Sequence, residues 1–403
     1  MRPNPYMRLV FIIILLDLMG IGLILPLFPF IAMDIGLTPE SITAVLAIYP
    51  IAQFFAGPIW GRLSDKHGRR PILMISMVGA VASYGILGFA DTVWMLMLSR
   101  IVGGISAGNL AAAFAYITDI TTPENRAKGM GMIGGALSLG FILGPAVGGL
   151  LAGGDPENAN LSLVAFVAGG TSFLALIGTI FFLPESLSDE LWEKIAQRPK
   201  MSRIAQFKVV SARGALLTLF GAALVFAAAE SVFTTTFPLF ANASLGLGPR
   251  EVGLILSFAG VVMVIMQMKA IGPLSKRFGE LNLITTGCFI YAIGLALIAT
   301  AGGLPQLLLA QIFLPIGISI VNPSLASLVS KECADTERGV AMGLYQSVGS
   351  LGRGMGPIYS GTLFGQISIY APYIYSIASM VPVLGLIYVV RMRGAKATEA
   401  ADE

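Results

Sequence analysis

The 403-residue chain is 56% hydrophobic and only 12% charged, about half the charged content of an ordinary soluble domain. That composition excludes a soluble enzyme domain, and the absence of a Gly-Lys-Ser/Thr nucleotide loop argues against ATP as an energy source. The net charge of +3 follows membrane topology, as shown below, and does not point to nucleic acid.

A membrane-crossing helix needs about 20 mainly apolar residues to traverse a hydrocarbon core roughly 30 Å thick. Apolar stretches between polar breaks predict twelve such spans, over 8–32, 42–60, 72–90, 93–117, 128–153 and 161–183, then 214–241, 250–271, 281–300, 304–329, 339–365 and 370–391. Arg8 with the apolar run Leu9 to Leu16 mimics a signal peptide. No small-residue cleavage site follows, so the first span is expected to be retained. The longest polar stretch, Pro184 to Arg213, mixes acids and bases as a solvated linker would, and part of it suits a short amphipathic surface helix. The expected organisation is therefore a six-helix bundle over 1–183, a linker over 184–213 and a second bundle with a short tail over 214–403.

Orientation follows from the basic residues. On these limits 22 of the 25 Lys and Arg residues fall on the side holding both termini and the linker, which is accordingly the cytoplasm. The opposite side holds only Arg250, and Arg100 and Arg353 lie inside spans. Cys288 lies in an apolar span and Cys333 in a distant loop, so no disulfide framework is expected. The single His67 falls in a cytoplasmic loop, and no metal site is expected.

The halves repeat. Gly61-Arg-Leu-Ser-Asp65-Lys-His-Gly68 matches Gly272-Pro-Leu-Ser-Lys276-Arg-Phe-Gly279 at an offset of 211. Gly144-Pro145 and Gly356-Pro357 differ by 212, as do Pro26 and Pro238, and Arg126 and Arg338. Internal repeats of this kind let secondary transporters rock one half against the other around a site near the midplane.

The loop Gly61-Arg62-Leu63-Ser64-Asp65-Lys66-His67-Gly68-Arg69-Arg70-Pro71 resembles the GxLaDrxGrkxxl motif of the major facilitator superfamily, and the resemblance extends over all twelve spans. It implies an all-α membrane protein of two six-helix bundles related by pseudo-two-fold symmetry. It further implies a conformational latch of the outward-facing state built from Gly61, Asp65, Gly68, Arg69 and Asp119: Asp65 meets the stretch near Gly339–Gly343, and Arg69 meets Asp119. In span five, Gly140-Phe-Ile-Leu-Gly144-Pro145-Ala-Val-Gly148-Gly149 resembles the GxxxGPxxGG signature of the antiporter branch. Small residues four apart let helix backbones approach closely, and Pro145 removes a donor and bends the helix.

Span one, Leu16-Asp17-Leu-Met-Gly20-Ile-Gly22-Leu-Ile-Leu-Pro26, is similar to the first helix of tetracycline/proton antiporters, and the similarity continues into Gln53. An ionisable group buried in the membrane is costly and by default functional. Four are present: Asp17, Arg100, Glu230 and Arg353. Asp17 and Glu230 occupy nearly equivalent repeat positions and are candidate proton carriers. Arg100 resembles the proton-transfer Arg of the superfamily's fourth helix, or serves as a structural partner of Asp17. Arg353 pairs with Glu230 or meets an anionic substrate. Gln53, Asn109, Gln311 and Asn322 either contact substrate or bond a neighbouring helix, and Phe233 and Phe237 are further cavity candidates of a kind more often found facing lipid or in the core.

The second half departs from the tetracycline pattern: span nine carries no acid, and the repeated loop has Lys276 and Glu280 where Asp65 and Arg69 stand. The expected activity is therefore proton-coupled export of small amphipathic compounds, with tetracycline one candidate. The alternative is a proton-coupled transporter of a metabolite or lipid-like substrate on the same fold. No cofactor and no nucleic-acid partner are expected. The chain is expected to be a monomer in the bacterial inner membrane, contacted by lipid and driven by the proton gradient.

Overall fold

The computed structural model describes residues 5–402, except 108, 122, 155–158, 189–191, 194–213 and 334–337. Most of the expected linker therefore lies outside the described residues. Among those described the fold is all-helical. In lipid every backbone N–H and C=O must be satisfied within its own segment, and a helix does this for an apolar run of any sequence.

In chain order the helices are α1 (Pro5–Ile24), α2 (Phe28–Asp34), α3 (Pro39–His67), α4 (Arg69–Gly88), α5 (Val93–Ser106), α6 (Asn109–Ile120), α7 (Pro123–Ala152) and α8 (Leu161–Phe182). After the linker come α9 (Gly214–Leu245), α10 (Pro249–Ile265), α11 (Ile271–Phe278), α12 (Glu280–Ala299), α13 (Leu304–Lys331), α14 (Arg338–Thr362), α15 (Ala371–Ala378) and α16 (Met380–Asp402). Wider π turns at Met266–Ala270 and Leu363–Ile367 join α10 to α11 and follow α14.

Among the described residues ten helices are long and apolar enough to cross a membrane, against twelve expected spans. The two remaining spans differ for identifiable reasons. The fourth is divided near Ala107 into α5 and α6, leaving the 14-residue Val93–Ser106 as a short apolar helix. The eleventh, α14, is diluted by Arg353 and by many Gly and Ser residues.

The chain forms two compact units: Met1–Pro199 with Pro238–Gly260, and Lys200–Phe237 with Val261–Glu403. In the first, α1 packs on α7 and α8, α4 on α5 and α8, and α3 on α5. Its core includes Val10 and Ile13 of α1, Ile72 and Met77 of α4, Tyr116 of α6 and Ala175 of α8. In the second unit α12 packs against α13 and against α15 and α16. Outward-facing apolar side chains such as Trp94 and Phe181 are exposed, as a lipid-facing surface requires.

Two breaks show how local sequence shapes the scaffold. At the division of the fourth span, Gln53 Nε2 donates to the Ala107 carbonyl at 3.3 Å, and Trp60 Nε1 donates to the Ile105 carbonyl at 2.5 Å. These bonds from α3 reach carbonyls at the end of α5, where helix-end carbonyls generally lack intrahelical donors. Between α3 and α4, Gly68 has φ +98, a left-handed conformation that favours glycine.

Candidate functional site

In the first unit, α1 carries Asp17 into the interior with 8% of its surface exposed. Ser172 Oγ of α8 donates to Asp17 Oδ1 at 3.2 Å. A small cavity beside it is lined by Asp17, Ile21, Tyr49, Ser83, Tyr84 and Ser106, among others. Arg100 of α5 is also buried. Its guanidinium lies 4.8 Å from the Phe28 ring centre and 5.8 Å from that of Tyr49, so aromatic faces replace part of its lost hydration. Asn109 begins α6, and its side chain lies outside the described residues.

The position of α1 is set by glycines on α7. A Cβ on Gly140 would meet Leu18 and Met19 at 3.2–3.3 Å, one on Gly144 the Gly22 backbone at 2.5 Å, and one on Gly148 the Leu23 carbonyl at 2.7 Å. Residues 140, 144 and 148 fall on one helix face, and that face is the seat of the Asp17 helix. The rest of the signature turns elsewhere. Gly149 approaches Pro249 and Arg250 of α10, and the Pro145 carbonyl lies where a Cβ on Gly253 would stand. Ser257 Oγ donates to the Ile142 carbonyl at 2.8 Å on the same α7–α10 contact.

The second unit repeats the arrangement. Gly352 and Gly356 of α14 press against α9 at Leu224, Ala227, Ala228 and Ser231, and α9 carries Glu230. Asn322 Nδ2 of α13 donates to Glu230 Oε2 at 3.2 Å, while Tyr345 Oη donates to the Asn322 carbonyl at 3.1 Å. Arg353 turns to Ser350 Oγ at 3.0 Å, and no ion pair within 4.0 Å joins it to Glu230. Phe233 and Phe237 are buried with ring centres 5.4 Å apart, and Gln311 is fully buried.

The loop motif forms a compact charge cluster in the first unit. Arg69 Nε donates to Asp119 Oδ2 at 3.0 Å, and its Nη1 meets Asp65 Oδ1 at 2.5 Å and Ser64 Oγ at 2.8 Å. The structure thus brings Asp65, Arg69 and Asp119 together. Sequence reasoning did not single out Glu185, whose carboxylate accepts the Arg69 N–H at 2.8 Å and the Arg70 N–H at 3.1 Å. It caps the start of α4, and a Cβ on Gly68 would fall on that carboxylate. Ser186 Oγ adds a bond to Asp119 Oδ2 at 3.1 Å. The available signal was Leu183-Pro184-Glu185, an acid set immediately after a helix end.

Both Arg69 and Asp119 side chains are at least 92% buried, because 5% and 8% of their surfaces remain exposed. Removing one partner of a buried pair costs about 3–5 kcal/mol by stranding the other charge. Arg69→Ala is therefore expected to lower the thermal unfolding midpoint of the purified protein well beyond the effect of Arg62→Ala; equal midpoints would exclude the structural role of the pair.

The Major Facilitator Superfamily model matches residues 10–357 and 219–403. Multidrug resistance protein 2 of Bacillus subtilis (strain 168) is 30% identical over 385 residues, 94% of either chain. The class C tetracycline resistance protein of Escherichia coli is 32% identical over 371 residues, 89% of either chain. Among solved structures, the human organic anion transporter MFSD10 superposes with a TM-score of 0.71 at 23% identity, covering 96% of this chain and 100% of that one.

Proposed function

The chain belongs to the Major Facilitator Superfamily, and from that premise we propose that it exports small amphipathic compounds in exchange for protons. It is a multi-pass membrane transporter and not an enzyme. The relatives named for multidrug and tetracycline resistance cover nearly the whole chain, which supports a drug-like substrate class.

The observation that carries proton coupling is the pair of buried carboxylates, each on a helix seated against a glycine stripe and each bonded to a neutral side chain. A hydroxyl or a carboxamide can donate to an ionised carboxylate and can accept from a protonated one. The Ser172–Asp17 and Asn322–Glu230 bonds can therefore persist through a change of protonation. Arg100 is buried in the first unit, and Arg353 in the second stands as countercharge to Glu230 without an ion pair within 4.0 Å. In this reading the repeat halves 1–183 and 214–403 alternate the access of a central site. The Asp65–Arg69–Asp119 cluster latches one of the two states. Both termini face the cytoplasm of a bacterial inner membrane, the chain works as a monomer, and the proton gradient drives it without a cofactor.

A growth-resistance panel in a host lacking its own exporters tests the substrate class, using a tetracycline, a cationic dye and a fluoroquinolone. Resistance to at least one, with substrate-driven proton movement in liposomes, is the expected result. Substrate movement indifferent to a proton gradient would remove the coupling.

A further inference from the structure

The repeated loop in the second half has lost both the acid and the base of the first, which by residue type reads as a latch discarded. The structure places the residues differently. Glu280 opens α12 and Lys331 closes α13, and the Lys331 ammonium pairs with Glu280 Oε1. Glu280 follows Arg69 by 211 positions, and Lys331 follows Asp119 by 212. The second unit thus holds an ion pair at the same two repeat positions with the signs exchanged.

The surroundings repeat as well. Ser64 accepts from Arg69 at 2.8 Å in the first unit, and its repeat mate Ser275 donates to Glu280 at 3.4 Å in the second. The preceding glycines share a left-handed turn, with φ +98 at Gly68 and φ +73 at Gly279. Ser327 Oγ adds a third donor to Glu280 Oε1 at 3.0 Å. The Lys331 side chain is 62% exposed, but Glu280 is 13% exposed and receives three donors, which sets it apart from a solitary surface carboxylate.

Helix ends explain why the two versions differ in support. Arg69 sits at the positive start of α4 and Asp119 in the last turn of α6, so each charge opposes its helix dipole. Glu185 and Ser186, from beyond α8, offset this by taking the α4 amides and bonding Asp119. Glu280 sits at the start of α12 and Lys331 at the end of α13, so each charge complements its dipole. Among the described residues, the side-chain donors to Glu280 come only from α11 and α13.

We propose that Glu280 and Lys331 are positioning residues of the transport cycle, a charge-inverted clamp joining α12 to α13. The Arg69–Asp119 pair, dependent on Glu185 and Ser186, is the conditional member of the two. This rests on the export reading above.

The test is substrate exchange in liposomes without a proton gradient, comparing the full-length protein with Glu280→Gln, Lys331→Gln, Lys331→Arg and the double exchange Glu280→Lys/Lys331→Glu. The two neutral variants should lose about tenfold in maximal exchange rate with half-saturation unchanged, the pattern of a lost conformational step. Lys331→Arg should restore the rate. The double exchange should restore it only in part, because both charges then oppose their helix dipoles. Wild-type rates in both neutral variants would overturn the proposal, as would a loss that Lys331→Arg shares. If the unmutated protein exchanges none of the panel compounds, the export reading fails by itself. The clamp is then judged by maleimide labelling of the buried Cys333 in a Cys288→Ser background. Faster labelling in Glu280→Gln, reversed in Lys331→Arg, sustains it; unchanged labelling overturns it.

Discussion

Asp17→Asn is expected to reduce substrate-driven proton movement in liposomes to background while leaving the protein folded and monodisperse. Asn fills the same volume and keeps an oxygen for the Ser172 hydroxyl, which donates to Asp17 at 3.2 Å, so packing of α1 against α8 should persist. What it cannot do is bind and release a proton. Glu230→Gln should act alike in the second unit, where Asn322 holds the carboxylate. Exchange of substrate for substrate, which needs no net proton transfer, should survive in Asp17→Asn within a factor of about two. Coupled transport retained in the double variant would sink the carboxylate mechanism.

Gly144→Val should produce the second large effect, through packing instead of charge. A Cβ there would stand 2.5 Å from the Gly22 carbonyl carbon and 2.8 Å from the Leu23 amide nitrogen, and both obstacles are backbone. No rotamer change relieves such a contact, so α1 must move, and Asp17 moves with it. Overpacking of a tight core costs typically 1–3 kcal/mol, and a branched side chain against backbone belongs at the upper end. Transport should be lost and the unfolding midpoint lowered. Gly131→Ala on the same helix meets nothing within 4 Å and should behave as the parent. Gly356→Val, whose Cβ would fall on the Ala228 carbonyl of α9, should reproduce the defect from the second unit. A fully active Gly144→Val protein would show that the stripe is not the seat of α1.

Much of the fold is legible in the sequence because lipid imposes it. A run of about 20 apolar residues leaves the backbone little choice but a helix, so most spans can be placed from hydropathy alone. The two exceptions are those that hydropathy handles poorly: a span broken at Ala107 and repaired by Gln53 and Trp60 from a neighbouring helix, and a span diluted by Arg353, Gly and Ser. The glycine signature is equally plain as a string. That its 140, 144 and 148 face seats α1 while Gly149 turns to α10 depends on helix rotation, which no residue of the string records.

The sequence by itself determined the membrane-embedded helices, the duplicated halves and the presence of Asp17, Arg100, Glu230 and Arg353, because an apolar environment makes each charge conspicuous. Tertiary structure alone decided their partners. Ser172 and Asn322 reach the two acids across more than ninety intervening residues, Arg353 turns to Ser350, and Glu185 arrives from beyond α8 to cap α4. Hydropathy reports the medium that surrounds a side chain. A hydrogen bond depends on direction and on distances of about 3 Å, and those are settled only when the helices have packed.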